Sequence, residues 1–277
     1  MQNHDRFFVN TPIVTTTQKA ARRLFAACLL SGILASQSSA VWAQQGTKPG
    51  TGTGKQNNPA TPKLSAKEKE QEKAREIFAD AANAQNNSAF PLAIEQWNRL
   101  LKEYPSDPLV SSARHFLGVC HLQKESPDFE AAIAEFKISL QDVNLKQREE
   151  SLVNLGWTLY QQGVSAEGDL KKQALAESTK VLAALIEKYP DGSFTDKALF
   201  YAGESESRLG NLERAIGFYS QLVQNRSMDA SSVRPDALFG LGLTYDEQKQ
   251  SQLAKESYEK FLAKYSTYSL TSLFTDE

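Results

Sequence analysis

The sequence predicts an all-helical protein arranged as about five consecutive helical hairpins, and three observations carry that prediction. First, a small or apolar residue followed by Gly recurs in the middle of apolar-periodic helical segments, at Leu117-Gly118, Leu155-Gly156, Ala202-Gly203 and Leu241-Gly242. Gly inside a helix costs roughly 0.8–1.0 kcal/mol relative to Ala, so four at matching places need a shared cause. Close approach of two helices supplies one, because a side chain there would hold them apart. Second, each Gly is followed, after a turn, by an amphipathic segment with a small residue near its start and an aromatic or apolar residue one turn on. These pairs are Ala132 with Phe136, Ser178 with Leu182, Ala215 with Tyr219 and Ala254 with Tyr258. Third, the 277 residues show little strand-like alternation, and the charge is nearly balanced at −2. The pI of about 6.0 argues against the basic face that nucleic-acid binding requires.

Residues 1–43 read as a cleavable export signal. Lys19, Arg22 and Arg23 form the basic region, Leu24 to Ala35 the apolar stretch, and Val41-Trp42-Ala43 supplies small residues for cleavage before Gln44. The apolar run is shorter than the roughly 20 residues of a membrane span, so the mature chain is expected to have none. Ala21-Arg22-Arg23-Leu24-Phe25 resembles the twin-arginine export motif, which leaves that route open beside general secretion. Cys28 follows the arginines without an apolar run before it, so cleavage rather than lipidation is expected. That leaves Cys120 alone, a small buried apolar residue rather than a disulfide partner. Residues 44–66, rich in Gly, Thr, Pro, Asn, Gln and Lys, have too little to bury to offset their ordering entropy and read as a disordered linker.

The repeat domain is expected over residues 67–266. Ser65 precedes Glu68 at capping-box spacing and opens the first helix. Its partner starts near Pro91, where a missing N–H costs nothing, and closes at Tyr104-Pro105. Ala81 stands in the Gly place of this first hairpin, with Ala93 and Trp97 completing the pattern. The second hairpin runs from about Leu109 to Leu140 with a turn at Ser126-Pro127-Asp128. The third starts near Glu149, has a long connection from Gly163 to Lys172, and ends at Tyr189-Pro190. The fourth covers about Asp196 to Asn225, with Gly210-Asn211 as a left-handed helix end. The fifth covers about Pro235 to Tyr265, and residues 267–277 form a tail containing Leu270, Leu273 and Phe274. The key positions 81, 118, 156, 203 and 242 are 37, 38, 47 and 39 residues apart. Hairpins one, three and five close on related sequences, while two and four end differently, which suggests a unit of two hairpins.

Leu-Gly on one helix meeting Ala-x-x-x-Phe on the next resembles the tetratricopeptide repeat, whose usual period is about 34 residues. Over residues 74–266, with Tyr-Pro endings and Ala113, Ala198 and Ala237 five residues before Gly, the chain resembles bacterial envelope members of that family. These include the tetratricopeptide lipoprotein of the barrel-assembly complex and the periplasmic coordinator beside the Tol–Pal system. The resemblance implies a right-handed superhelix, an α-solenoid whose repeated Gly marks the seam where neighbouring hairpins nest. It also implies that first helices line a concave groove. Counted from the Gly, the groove row is Phe78, His115, Val119, Val153, Trp157, Tyr160, Phe200, Glu204, Phe239 and Leu243, more aromatic than a solvated face. A register shifted by one residue would turn these side chains into core instead. His121 and Glu206 replace the Tyr of the family pattern and Arg114 its Trp, so hairpins two and four are expected to pack less tightly.

Motifs for catalysis or cofactor binding are missing from the sequence. His115 and His121 are six apart and do not share a helix face as a metal pair would. There is no Gly-rich phosphate loop, Gly-x-Ser-x-Gly elbow or Cys-x-x-Cys pair. No catalytic residues, metal or cofactor are expected. The leading expectation is an exported, periplasmic, non-catalytic scaffold that binds another cell-envelope protein or peptide, serving envelope assembly or maintenance. Two alternatives stand beside it. One is an envelope enzyme on a helical toroid with the Gly163–Lys172 loop near an acidic site. The other is a structural protein that self-associates through its last repeat.

Overall fold

A computed structural model describes residues 65–267. The expected export signal and most of the linker and tail lie outside the described residues. Among the described residues ten α-helices follow one another as five hairpins. They are α1 (Ala66–Asn86) with α2 (Phe90–Glu103), α3 (Val110–Gln123) with α4 (Phe129–Ser139), and α5 (Arg148–Ser165) with α6 (Gly168–Lys188). The last two are α7 (Thr195–Arg208) with α8 (Leu212–Gln224), and α9 (Arg234–Glu247) with α10 (Ser251–Tyr265). Each helix packs on the next along the chain, and the first helix α7 also touches the first helices α5 and α9.

Local chemistry sets the ends of these helices. The Glu68 N–H donates to the Ser65 hydroxyl at 3.3 Å and the Ser65 N–H to the Glu68 carboxylate at 2.7 Å, the reciprocal box read from the sequence. Pro91 lies in the first turn of α2. Tyr104 and Tyr189, each before a Pro, leave helical geometry with φ near −130°, as the proline ring requires of its predecessor. Gly210 takes φ +78° at the end of α7. Ser88 and Lys249 occupy the same step of hairpins one and five with φ of 58° and 61°, a conformation that carries a penalty in any residue with a Cβ.

The third hairpin differs from expectation. Instead of a ten-residue connection, only Ala166 and Glu167 separate α5 from α6. The additional residues are wound into the helices, which are 18 and 21 residues long against 14 in α3, α7 and α9. Gly163 is buried in the last turn of α5, where a Cβ would lie 2.7 Å from Leu175 Cγ and 3.3 Å from the Leu175 backbone nitrogen. It permits close helix contact, and Gly168, at φ +60°, makes the turn. The catalytic alternative loses the loop on which it stood.

The four repeated glycines have a common role, but it lies within each hairpin rather than between neighbours. A Cβ at Gly118 would sit 2.8 Å from a ring carbon of Phe136. At Gly156 it would be 2.4 Å from Leu182 Cδ2, and at Gly203 and Gly242 it would be 2.6 and 2.5 Å from rings of Tyr219 and Tyr258. The residue one turn beyond Ala132, Ser178, Ala215 and Ala254 on each second helix therefore fills the notch in the first. In hairpin three the helices are also tied by the Ser178 hydroxyl, which donates to the Gly156 carbonyl at 2.8 Å.

The joints between hairpins alternate. After hairpins one and three the chain turns through Tyr-Pro. After two and four, the first residue of the next hairpin is an Arg that holds the preceding helix end. Arg148 donates to the carbonyls of Leu140 and Asp142 at 3.0 and 2.9 Å. Arg234 donates to those of Leu222, Val223 and Asn225 and pairs with Asp229 at 2.8 Å. Cationic donors at a helix C-terminus satisfy its orphan carbonyls and the negative end of its dipole. The N-terminal core is built on Trp97, with Phe78 edge-on at 4.8 Å and Phe116 stacked at 5.5 Å. Cys120 is buried here as expected, and burial pushes its thiol up to about 12.

Candidate functional site

The predicted groove row turns inward through the middle of the array. His115, Val119, Val153, Trp157, Tyr160, Phe200 and Glu204 are all buried, the most accessible being Trp157 at 6%. Phe78 is half-buried within the Trp97 cluster, Phe239 is half-buried, and Leu243 alone is exposed, at 41%. The physical reason is that successive first helices lie against one another, so the side chains aimed along that face meet a neighbouring helix rather than water. The aromatic richness of the row is therefore packing in hairpins two to four. The face that reaches solvent is shifted along the helices, at Ser207, Arg208 and Asp246.

Inside this row lies a buried polar cluster that pattern reading missed. Glu204 on α7 accepts hydrogen bonds from the hydroxyls of Tyr219 on α8 at 2.5 Å and Tyr160 on α5 at 3.2 Å. Arg208, one turn on, donates from Nε to the Tyr160 oxygen at 3.2 Å, and the same nitrogen lies 3.9 Å from the Glu204 carboxylate. Its guanidinium stands over the Tyr160 ring at 5.7 Å, a cation–π arrangement. Burial raises the Glu204 carboxyl above its ordinary range, and the Tyr219, Arg208 and Tyr160 contacts only partly oppose this. Asp236 on α9, itself buried, adds to the rise. The tyrosine hydroxyls are raised as well, chiefly by burial. The cluster joins hairpins three and four through Tyr160 and Glu204.

A pH effect follows from the cluster. The unfolded Glu ionises near 4.5, whereas folded Glu204 holds its proton to higher pH. The stabilisation it contributes is thus complete below 4.5 and is lost as pH rises through the folded value. Glu204→Gln cannot ionise, so its stability relative to wild type should increase as pH is raised from about 4.5 to about 8. Urea midpoints of both proteins at the two pH values test this. An unchanged difference would show that folding does not raise the Glu204 carboxyl above its unfolded value.

The two histidines serve separate places. His115 Nδ1 is 2.7 Å from the Ser151 hydroxyl, and Nε2 lies 3.5 Å from a Glu150 carboxylate oxygen, linking α3 to α5. The imidazole of half-buried His121 is held below its usual value by burial. Among the described residues no group of His, Cys, Asp or Glu is arranged to hold a metal ion. No helix of the described residues is long and apolar enough to cross a membrane. Of the three residues expected to loosen hairpins two and four, two are paired instead, while the buried Nδ1 of His121 has no hydrogen-bond partner among the described residues. Arg114 meets Glu135 at 2.8 Å, and buried Glu206 accepts from Asn211 at 2.6 Å and pairs with Arg214 at 2.8 Å.

These hairpins define a class. Tetratricopeptide-repeat profiles match residues 78–144, 197–226 and 236–268, and the chain is a tetratricopeptide-repeat protein. The elongated third hairpin falls between the matched stretches. Solved structures of similar fold include MamA from Desulfovibrio magneticus RS-1. It is 16% identical with a TM-score of 0.56, over 71% of this chain and 98% of that one. YrrB, described as a tetratricopeptide protein with an unusual peptide-binding site, is 17% identical with a TM-score of 0.55, over 74% and 94%. A tetratricopeptide protein from Parabacteroides merdae ATCC 43184 is 14% identical with a TM-score of 0.56, over 70% and 67%. At these identities the likeness is one of fold. No curated protein sequence matches the chain.

Proposed function

We propose that this chain is an exported, non-catalytic scaffold that holds another cell-envelope protein or peptide against the solvent face of its first helices. The observation that carries this reading is the unbroken series of five stacked hairpins, in which the first helices of hairpins three to five lie side by side. The repeat family matches support it, as does the fold shared with YrrB, for which a peptide-binding site is described. Export and an envelope location rest on residues 1–43, with cleavage after Ala43 and a mature chain starting at Gln44.

The test uses two positions outside the core, half-buried Ser207 and exposed Asp246. Charge placed on buried Phe200 or Trp157 would unfold the array, whereas Ser207 and Asp246 lie on the accessible face of α7 and α9. Ser207→Arg with Asp246→Lys should abolish capture of the partner, identified by affinity purification and cross-linking with the full mature chain, while helicity is retained. Capture at wild-type level would remove this face from the reading. N-terminal sequencing of the protein recovered from cells should begin at Gln44, and an intact Met1 would remove export.

A further inference from the structure

We infer that the cleft between the turns of hairpins two and three docks an extended segment of a partner protein, one carrying an aliphatic side chain beside a Lys or Arg. The cleft exists because hairpin three is longer than its neighbours. Helices α3, α7 and α9 end five residues beyond Gly118, Gly203 and Gly242, whereas α5 runs to nine residues beyond Gly156. That is one further turn, about 6 Å of helix, and it brings the end of α5 and the start of α6 alongside the turn that joins α3 to α4. Side chains from 124–130 and from 162–170 line the opening, whose volume is about 570 Å³, within the range of ligand-binding clefts. The wall built from 162–170 lies outside the stretches that match the tetratricopeptide profiles. The cleft shares no residue with the Ser207 and Asp246 face, so it stands or falls apart from the reading above.

The lining fixes the chemistry of the occupant. Pro127 is exposed, Leu170 is 53% exposed, and Phe129 is half-buried against Trp157 with ring centroids 6.4 Å apart. These three supply apolar contact for an inserted aliphatic side chain. The side chains of Ser126, Gln162 and Ser165 make no hydrogen bond among the described residues. Between them they donate and accept, which is what the backbone of an extended peptide requires. Lys124 is 3.1 Å from Asp128, whose other oxygen accepts from the Ala131 N–H at 3.0 Å, so these two charges answer each other. The exposed Glu130 carboxylate has no partner among the described residues. On the facing lip Glu167 and Asp169 are balanced by Lys171 and Lys172, and Glu130 therefore sets the sign of the cleft. A Lys or Arg on the docked segment meets that charge, and a carboxylate in its place is repelled.

Selection of a displayed library of random peptides on the full mature chain tests this. Wild type should enrich sequences in which Leu, Ile, Val or Met stands within two positions of Lys or Arg. Leu170→Asp lies in the first turn of α6, where the helix dipole favours a carboxylate, so folding tolerates it. It should weaken an enriched peptide by about tenfold, the effect of losing contact with roughly one apolar side chain. Glu130→Lys, at an exposed position, should weaken the same peptide by about fivefold and turn the selection toward Asp and Glu. Ser207→Arg with Asp246→Lys should leave its binding unchanged. Enrichment of no sequence, enrichment of acidic sequences by wild type, or binding that survives both cleft substitutions would overturn the inference. Peptides released only by the Ser207 and Asp246 substitutions would also overturn it, and would assign the binding to the first-helix face instead.

Discussion

Trp97→Ala should lower the stability of the first two hairpins by about 3–5 kcal/mol, the range for truncating a fully buried aromatic. Trp97 is 0% exposed, touches the rings of Phe78 and Phe116, and donates from its indole nitrogen to Gln85 at 3.3 Å. The substitution therefore removes ring contacts on two sides and leaves the Gln85 amide oxygen without its donor. Stability in a repeat array is close to a sum of hairpin and nearest-neighbour interface terms. The loss should consequently be local, with amide protection falling in α1 to α3 while α7 to α10 keep theirs. Urea unfolding should split into two steps, the first at much lower denaturant. A single transition shifted as a whole would show that the five hairpins unfold as one unit. Trp97→Phe, which keeps an aromatic ring at the site, should cost less than half as much.

The fold was legible because its signals are local. A helix that needs a notch for a ring must have Gly at one place and the ring at a fixed distance along the chain, and both are written in the sequence at Gly118 with Phe136 and at Gly203 with Tyr219. Pro91, Ser65 and Gly210 likewise act within a few residues of themselves. The third hairpin was misread because Gly163 looks like a helix breaker, when its role is set by Leu175 on the facing helix. The groove row was misplaced for a related reason. Apolar periodicity reports how wide the buried face of a helix is, but not which of several neighbours covers it. In α5 and α7 the covering extends over the side chains assigned to the groove.

The buried cluster was hidden because Glu204, Arg208 and the tyrosines lie on three helices, and only the packing brings them together. The arginine joints were within reach. Arg148 and Arg234 each stand eight residues before a repeat Gly, at 156 and 242, a coincidence of register that marks the two joints lacking Tyr-Pro.

Gly156→Ala should destabilise the third hairpin by about 1–3 kcal/mol, the usual cost of overpacking, despite the roughly 0.8–1.0 kcal/mol that Ala gains in helix propensity. Its Cβ would lie 2.4 Å from both Cγ and Cδ2 of Leu182, which is itself fully buried and has nowhere to withdraw. Gly217 provides the opposite case. It lies in α8 with nothing within 4 Å of a built Cβ, so Gly217→Ala should stabilise by about 0.8–1.0 kcal/mol through propensity alone. The decisive measurement is the double variant Gly156→Ala with Leu182→Ala. Leu182→Ala alone leaves a cavity and costs about 2–5 kcal/mol, but the methyl at 156 then occupies part of that space. The two losses together should fall short of their sum by about 1 kcal/mol or more. Strict additivity would mean that the notch and the side chain filling it are not in contact, and the shared cause assigned to all four repeated glycines would fail with it.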